Sequence, residues 1–203
     1  MSVSYHRGDL PAGLSFPNGI AIDTETMGLN LSRDRLCAIQ LSAGDGTAHV
    51  VHFPDRDYAA PNLKAVLADP APIKIFHFGR FDLAMIEHYL GIVCQPVFCT
   101  KIASRLVRTN VESHSLRTLC KEFLGIELLK VQQTSDWGAP TLSDLQLDYA
   151  ASDVLYLHAL KARLEALLER ERRTHLAEAC FHFLPARATL DIAGWAEEDI
   201  FAH

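Results

Sequence analysis

The chain has 203 residues, a hydrophobic fraction of 49%, a charged fraction of 22% and a formal net charge of −6. That balance excludes a disordered segment and supports one core-bearing domain over residues 1–203. The acidic charge argues against a long basic track that grips polymeric nucleic acid, without excluding a channel built by an oligomer, and no apolar run reaches the length of a bilayer span.

In chain order, residues 20–23 are predicted as a first strand, an apolar run ending in acid. Residues 36–41 and 48–53 flank Ala43-Gly44-Asp45-Gly46 and predict a hairpin. Residues 62–68 read as a short helix closed by Asp69-Pro70. Residues 73–78 form a buried strand, and Gly79 opens a helix to about Leu90. Residues 96–99 give a fifth strand, followed by a helix at 100–107. Residues 116–124 are helical and stopped by Gly125, and 145–173 read as one long amphipathic helical stretch. The apolar run 180–184 is expected to break at Pro185. Beyond it, Trp195, Ile200 and Phe201 sit in a mostly acidic tail, so residues from about 174 to 203 are expected to dock on the domain or on a neighbouring subunit. A β-meander followed by alternating helices and strands predicts an α/β domain, a mixed five-stranded sheet with helices on both faces. The five cysteines, without a C-x-x-C pair, read as reduced thiols of a cytoplasmic protein, and the opening MSVSYHRGDLPAGL lacks the apolar core of a secretory leader.

Three acidic segments carry the chemistry: Asp23-Thr24-Glu25, Phe81-Asp82 and Tyr149-Ala150-Ala151-Ser152-Asp153. Asp23 and Glu25 are two apart at a strand end, so both project from one face and Thr24 from the other. Strand ends are where open α/β sheets place ligands. Asp82 falls in a first helical turn, a place the helix dipole also gives to ordinary acids. Tyr149 and Asp153 are four apart in a helix and share a face, which lets Asp153 reach a metal while Tyr149 points at an attacking water. Four converging carboxylates repel one another and lose hydration. Such clusters hold divalent cations, here two Mg²⁺ or Mn²⁺ ions, a standard device for cleaving phosphodiesters. Two such ions would also offset most of the chain's negative charge.

Candidate substrate contacts are weaker signals. Lys101, Arg105 and Arg108 recur on one side of a helix, a pattern more often a solvated face. His114 and Ser115 precede a helix start, where N–H groups favour anions. Ser104 is a further polar candidate. His77 is near Asp82, where a satisfied core histidine is an equal reading, and Trp137 reads as core support.

The three segments, in this order, resemble the DEDD superfamily of 3′-5′ exonucleases in its tyrosine-containing branch, and within it the ribonuclease D-like proteins. The run 133–157 is similar to ribonuclease D throughout, and the resemblance covers roughly residues 20–170. The segments 76–82, 98–104 and 194–203 look like the compact nanoRNase C group. The resemblance implies a ribonuclease H-like (DnaQ-like) fold, with Asp23, Glu25, Asp82 and Asp153 as metal ligands and Tyr149 as the water-orienting group. It implies a homo-oligomer, a ring-like octamer, that clears very short RNAs, dinucleotides above all. It also implies that Leu29 wedges between the last two bases and that polar groups after Asp82 bind a 5′-phosphate. The helical nucleic-acid-binding domains that follow the exonuclease domain of ribonuclease D have no counterpart in this sequence. Two other readings stand beside this one: a broader 3′-5′ exonuclease acting on longer RNA or DNA, and a non-catalytic nucleotide-binding module on the same fold.

Overall fold

The computed structural model describes residues 2–128 and 135–203. At its centre is β3 (Leu36–Ser42), whose seven residues are all buried. It pairs antiparallel with β2 (Ile20–Thr26) on one side and with β4 (Thr47–His52) on the other. The β3–β4 connection is the expected turn, with Gly44 and Gly46 at φ 77° and 87°, angles that side-chain-bearing residues rarely adopt. Beyond β2 the sheet continues in parallel through β5 (Lys74–Phe76) and β6 (Val97–Cys99).

A sixth strand, β1 (Ser2–Arg7), corrects the expected five, and the full order is β1-β4-β3-β2-β5-β6. The sequence SVSYHR offers no apolar alternation, because β1 lies on the edge and is largely exposed. Side-chain contacts reinforce its pairing with β4: His6 Nε2 and His49 Nδ1 are 3.0 Å apart, and the Tyr5 hydroxyl lies 2.9 Å from His52 Nδ1.

The helices are α1 (Pro61–Ala68), α2 (Arg80–Leu90), α3 (Thr100–Val107), α4 (Leu116–Leu119, extended by a wider turn at Cys120–Leu124), α5 (Asp144–Leu155), α6 (Leu157–Arg170) and α7 (Thr174–Leu190). The predicted single helix over 145–173 is therefore two, kinked at Tyr156 (φ −104°, ψ −4°). The kink keeps α5 on β2, β3 and β4 while α6 crosses to β5 and α3. Pro185 does not break α7. A helix-interior proline costs roughly 3 kcal/mol, but Phe181, Leu184 and Ala188 on the same helix are buried, and each large apolar side chain so buried returns about 1.5–3 kcal/mol. α7 lies along α2. Four cysteines are buried and Cys180 is exposed, all as free thiols. Among the described residues, no helix is long and apolar enough to cross a membrane.

Candidate active site

The pleat of β2 sorts its side chains. Asp23 and Glu25 stand opposite Gln40 and Ala38 of β3. Ala38 packs with Val50, Trp137 and Ala150 in the core beneath α5, with Tyr149 against it. Asp23 and Glu25 therefore face α5, which delivers Asp153 and Tyr149. The pairing skips Cys37 between Glu25↔Ala38 and Thr26↔Leu36, a bulge of the kind that re-aims strand-end side chains. A capping box fixes the start of α5: the Gln146 N–H donates to Ser143 Oγ at 3.3 Å and the Ser143 N–H donates to Gln146 Oε1 at 3.0 Å.

One carboxylate oxygen from each of Asp23, Glu25 and Asp153 lies within 4.8 Å of the others. Asp82 is not one of this trio. It arrives from α2 on the other face of β2, where Thr24 Oγ1 donates to its Oδ1 at 2.6 Å. It is close enough for its charge to act on Asp23, Glu25 and Asp153. Burial, then the neighbouring carboxylates, pushes Asp23 and Glu25 well above the usual carboxylate range. Burial raises Asp82 to about 7 against the opposing Thr24 hydrogen bond, and burial, with a contribution from Asp82, raises Asp153 to about 7. Tyr149 is likewise pushed upward, by burial and then by the charges of Asp153, Glu25 and Asp23, so its hydroxyl keeps its proton. Among the described residues, no lysine, arginine or histidine forms an ion pair with any of the four. An all-oxygen donor set of this charge, lacking a protein cation, fits hard divalent cations.

Two supporting residues were not singled out from sequence. Thr24 holds Asp82, and its place between two acids that face the other way is the signal that could have found it. Gln40 is fully buried and donates from Nε2 to Glu25 Oε1 at 3.3 Å; a glutamine inside the apolar run CAIQL was the clue. Trp137 is 1% exposed and backs Tyr149 with ring centroids 6.1 Å apart, as core support.

The remaining candidates fall in two places. Leu29 is 83% exposed on the loop after β2. A Cβ at Gly28 would meet the Asp34 carboxylate, which would have to shift, so the small residue serves the loop itself. The second group lies around α3. His77 Nδ1 is 2.9 Å from Thr100 Oγ1, and burial, with Lys101, lowers its pKa to about 3, so it is neutral. His114 Nδ1 and the buried Ser104 Oγ share a hydrogen bond of 2.8 Å, and Arg108 donates to the same hydroxyl at 3.3 Å. Burial and the charges of Arg108, Arg105 and Lys101 lower the His114 pKa. Lys101 is half-buried and Arg105 exposed. Ser115 accepts from the Thr118 N–H at 3.2 Å as the N-cap of α4, so its hydroxyl is already engaged. A cavity of about 970 Å³ lies at the other end of β5 and β6, between α6 and α7, and none of these residues lines it.

Ribonuclease D of Granulibacter bethesdensis is 35% identical over 155 residues, 76% of this chain and 38% of that protein. The chain thus spans under two-fifths of the length of the ribonuclease D relatives it matches. NrnC of Brucella melitensis is similar over the whole of both chains, at 57% identity and a TM-score of 0.96. Two further structures of that protein match at 56% identity: one with bound Mg²⁺, at TM-score 0.95 over all of both chains, and one bound to pGG, at TM-score 0.96 over 100% of this chain and 99% of that one. The sequence model of a family described as 3′-5′ exonuclease matches residues 12–169, a span that contains all four carboxylates and Tyr149, and the chain belongs to that 3′-5′ exonuclease family.

Proposed function

We propose that this chain is a metal-dependent 3′-5′ exoribonuclease that hydrolyses very short RNAs, dinucleotides above all, to 5′-mononucleotides. The observation that carries this reading is the uncompensated carboxylate cluster at the end of β2. Its support is the full-length likeness to a protein whose structure is bound to pGG, a two-nucleotide ligand by its notation. Asp23, Glu25 and Asp153, with Asp82 beside them, would hold two Mg²⁺ or Mn²⁺ ions, which supply charge compensation and an activated water for phosphodiester hydrolysis.

The chain's own groups do the rest. The protonated Tyr149 hydroxyl orients the attacking water by donating or sharing a hydrogen bond. Thr24 and Gln40 fix two carboxylates, so that the cluster needs little reorganisation. Leu29, exposed on a self-bonded loop, stacks between the two bases. The terminal 5′-phosphate is recognised by the polar group around α3: His114 with Ser104, neutral His77, and the charges of Lys101 and Arg105. Holding both ends of a dinucleotide places its single phosphodiester at the carboxylates.

Initial rates on 5′-phosphorylated RNAs of two, three, five and about twenty nucleotides test this reading, with the Asp153→Ala variant and excess chelator as controls. A steep fall with length and no hydrolysis in either control are expected. Equal rates at all lengths would favour the broader exonuclease, and undiminished hydrolysis in chelator would remove the metal from the reaction.

A further inference from the structure

Two arginines fix the C-terminal segment beside the helix that carries Asp82. Arg80, in the first turn of α2, donates to the buried Asp191 carboxylate through Nε at 2.5 Å and Nη2 at 2.8 Å, and Nη2 also donates to the Ala196 carbonyl at 2.6 Å. Arg187 of α7 donates to the same carboxylate at 2.9 and 2.5 Å. It also donates to the carbonyls of Trp195 and Glu198. The grip is on the Asp191 carboxylate and on backbone carbonyls; neither the Glu197 nor the Glu198 side chain is hydrogen-bonded in it, and Glu197 acts on Arg80 only through its charge. Both are exposed, and among the described residues neither forms an ion pair.

With Asp199, these two acids line one side of a groove of about 510 Å³ that Phe78, Lys101 and Arg105 also line; the other two cations of its lining, Arg80 and Arg187, are the ones committed to Asp191 and the tail carbonyls. Phe78 takes the left-handed conformation, φ 66°, which is costly for a bulky side chain. Its ring is 45% exposed, with Lys101 Nζ 4.2 Å from the ring centre. Lys101 also acts on His77 and His114, so the groove starts where the phosphate-recognising group ends. On the reading proposed above, a 5′-terminal phosphate stops at that group, and the next phosphate of a longer RNA would pass Lys101 and Arg105 and meet the carboxylates of Glu197 and Glu198.

We infer that Glu197 and Glu198 are specificity-determining residues, a fixed acidic wall that turns away RNAs longer than the dinucleotide. The inference rests on the reading of the site as one for short RNA. Its test is the Glu197→Gln/Glu198→Gln variant, with Glu197→Lys/Glu198→Lys as a stronger form, assayed for kcat/KM on 5′-phosphorylated di- and heptanucleotides. The dinucleotide value should stay within about twofold, and the heptanucleotide value should rise about tenfold at ~50 mM salt and less at ~500 mM, where screening is short-ranged. The lysine form should exceed the glutamine form. If wild type prefers the dinucleotide but the variants do not gain on the heptanucleotide, or gain equally at both salts, the wall is refuted and the short-RNA reading stands. If wild type turns over both substrates equally, the short-RNA reading fails and the wall with it.

Discussion

Removing the divalent cation should destabilise the protein in a pH-dependent way that reports directly on the carboxylate cluster. A carboxyl whose folded-state pKa lies above its unfolded value keeps its proton in the native state where the unfolded chain has lost it. The stability it allows is complete below the unfolded value, near 4, and is lost as pH rises through the folded value. Asp82, at 5% exposure, rises from 3.8 to about 7, which at ~1.4 kcal/mol per pH unit is of order 4 kcal/mol. Only the stretch from about pH 5 to the folded value of about 7 lies inside the pH range tested, about two pH units, so Asp82 alone carries a loss of roughly 3 kcal/mol across it. At about 2–4 °C per kcal/mol for a chain of this size, the melting temperature in chelator should fall by roughly 6–12 °C between about pH 5 and about pH 8. Mg²⁺ in excess should flatten that slope. Asp23→Asn, which removes one charge without removing volume, should raise the melting temperature in chelator at the higher pH and leave it nearly unchanged at the lower. The assay is differential scanning fluorimetry of both proteins across the pH series, with and without Mg²⁺. A melting temperature that holds or rises with pH in chelator, or an Asp23→Asn protein no more stable than wild type at about pH 8, would refute the reasoning.

Tyr149→Phe should keep the fold and lose ~10²–10⁴-fold in single-turnover rate at saturating metal; a wild-type rate would leave the phenol with a packing role only. Thr24→Val removes the donor to Asp82, and a lost supporting hydrogen bond of this kind costs roughly 10–100-fold in metal affinity or activity; an unchanged Mg²⁺ dependence of the rate would show that Thr24 does not tune the site. Leu29→Ala should weaken dinucleotide binding by ~1–2 kcal/mol, the worth of the roughly two to three carbon groups it no longer buries against the bases, measured by titration in the presence of Ca²⁺ or with an inactive variant. Equal affinities for Leu29→Ala and wild type would place the leucine outside the ligand's path.

What the sequence disclosed and what it hid follow from the kind of information each feature needs. Asp23 with Glu25, and Tyr149 with Asp153, are pairs within one element, so their shared faces follow from period two and period 3.6 alone. That both pairs meet is a matter of sheet order, which no spacing reveals; the chemistry of a carboxylate cluster argues for it, and the structure brings Asp23, Glu25 and Asp153 within 4.8 Å. Asp82 shows the limit of that reasoning. Its place in a first helical turn was legible, but its partner Thr24 was not, because the contact joins residues 58 apart. β1 was missed because its edge position leaves no apolar pattern to read. Pro185 was misread because a local rule was applied where buried tertiary packing decides. The chain's negative charge was legible, but its use near the site was not, since Glu197 and Glu198 acquire their place only through Arg80 and Arg187.

The cluster also explains why so much ordinary structure surrounds it. Four carboxylates without a protein cation pull a domain apart, and net stabilities of proteins are only about 5–15 kcal/mol. The site is held by elements that do not depend on the ion. β3 behind it is buried along its whole length, the capping box pins the start of α5, Trp137 backs Tyr149, and Thr24 and Gln40 each hold one of the acids. A scaffold that relied on the metal for its shape would fold on binding and lose the site between turnovers. Here the repulsion is stored in a frame rigid enough to survive it, and that stored repulsion becomes affinity for a divalent cation once one arrives. The stability lost with rising pH in chelator and the tightness of Mg²⁺ binding are then two views of one quantity, so a variant that removes one should diminish the other in step. Asp23→Asn should gain stability and lose Mg²⁺ affinity together, and a variant that changed one without the other would break this link between the strain of the empty cluster and its function.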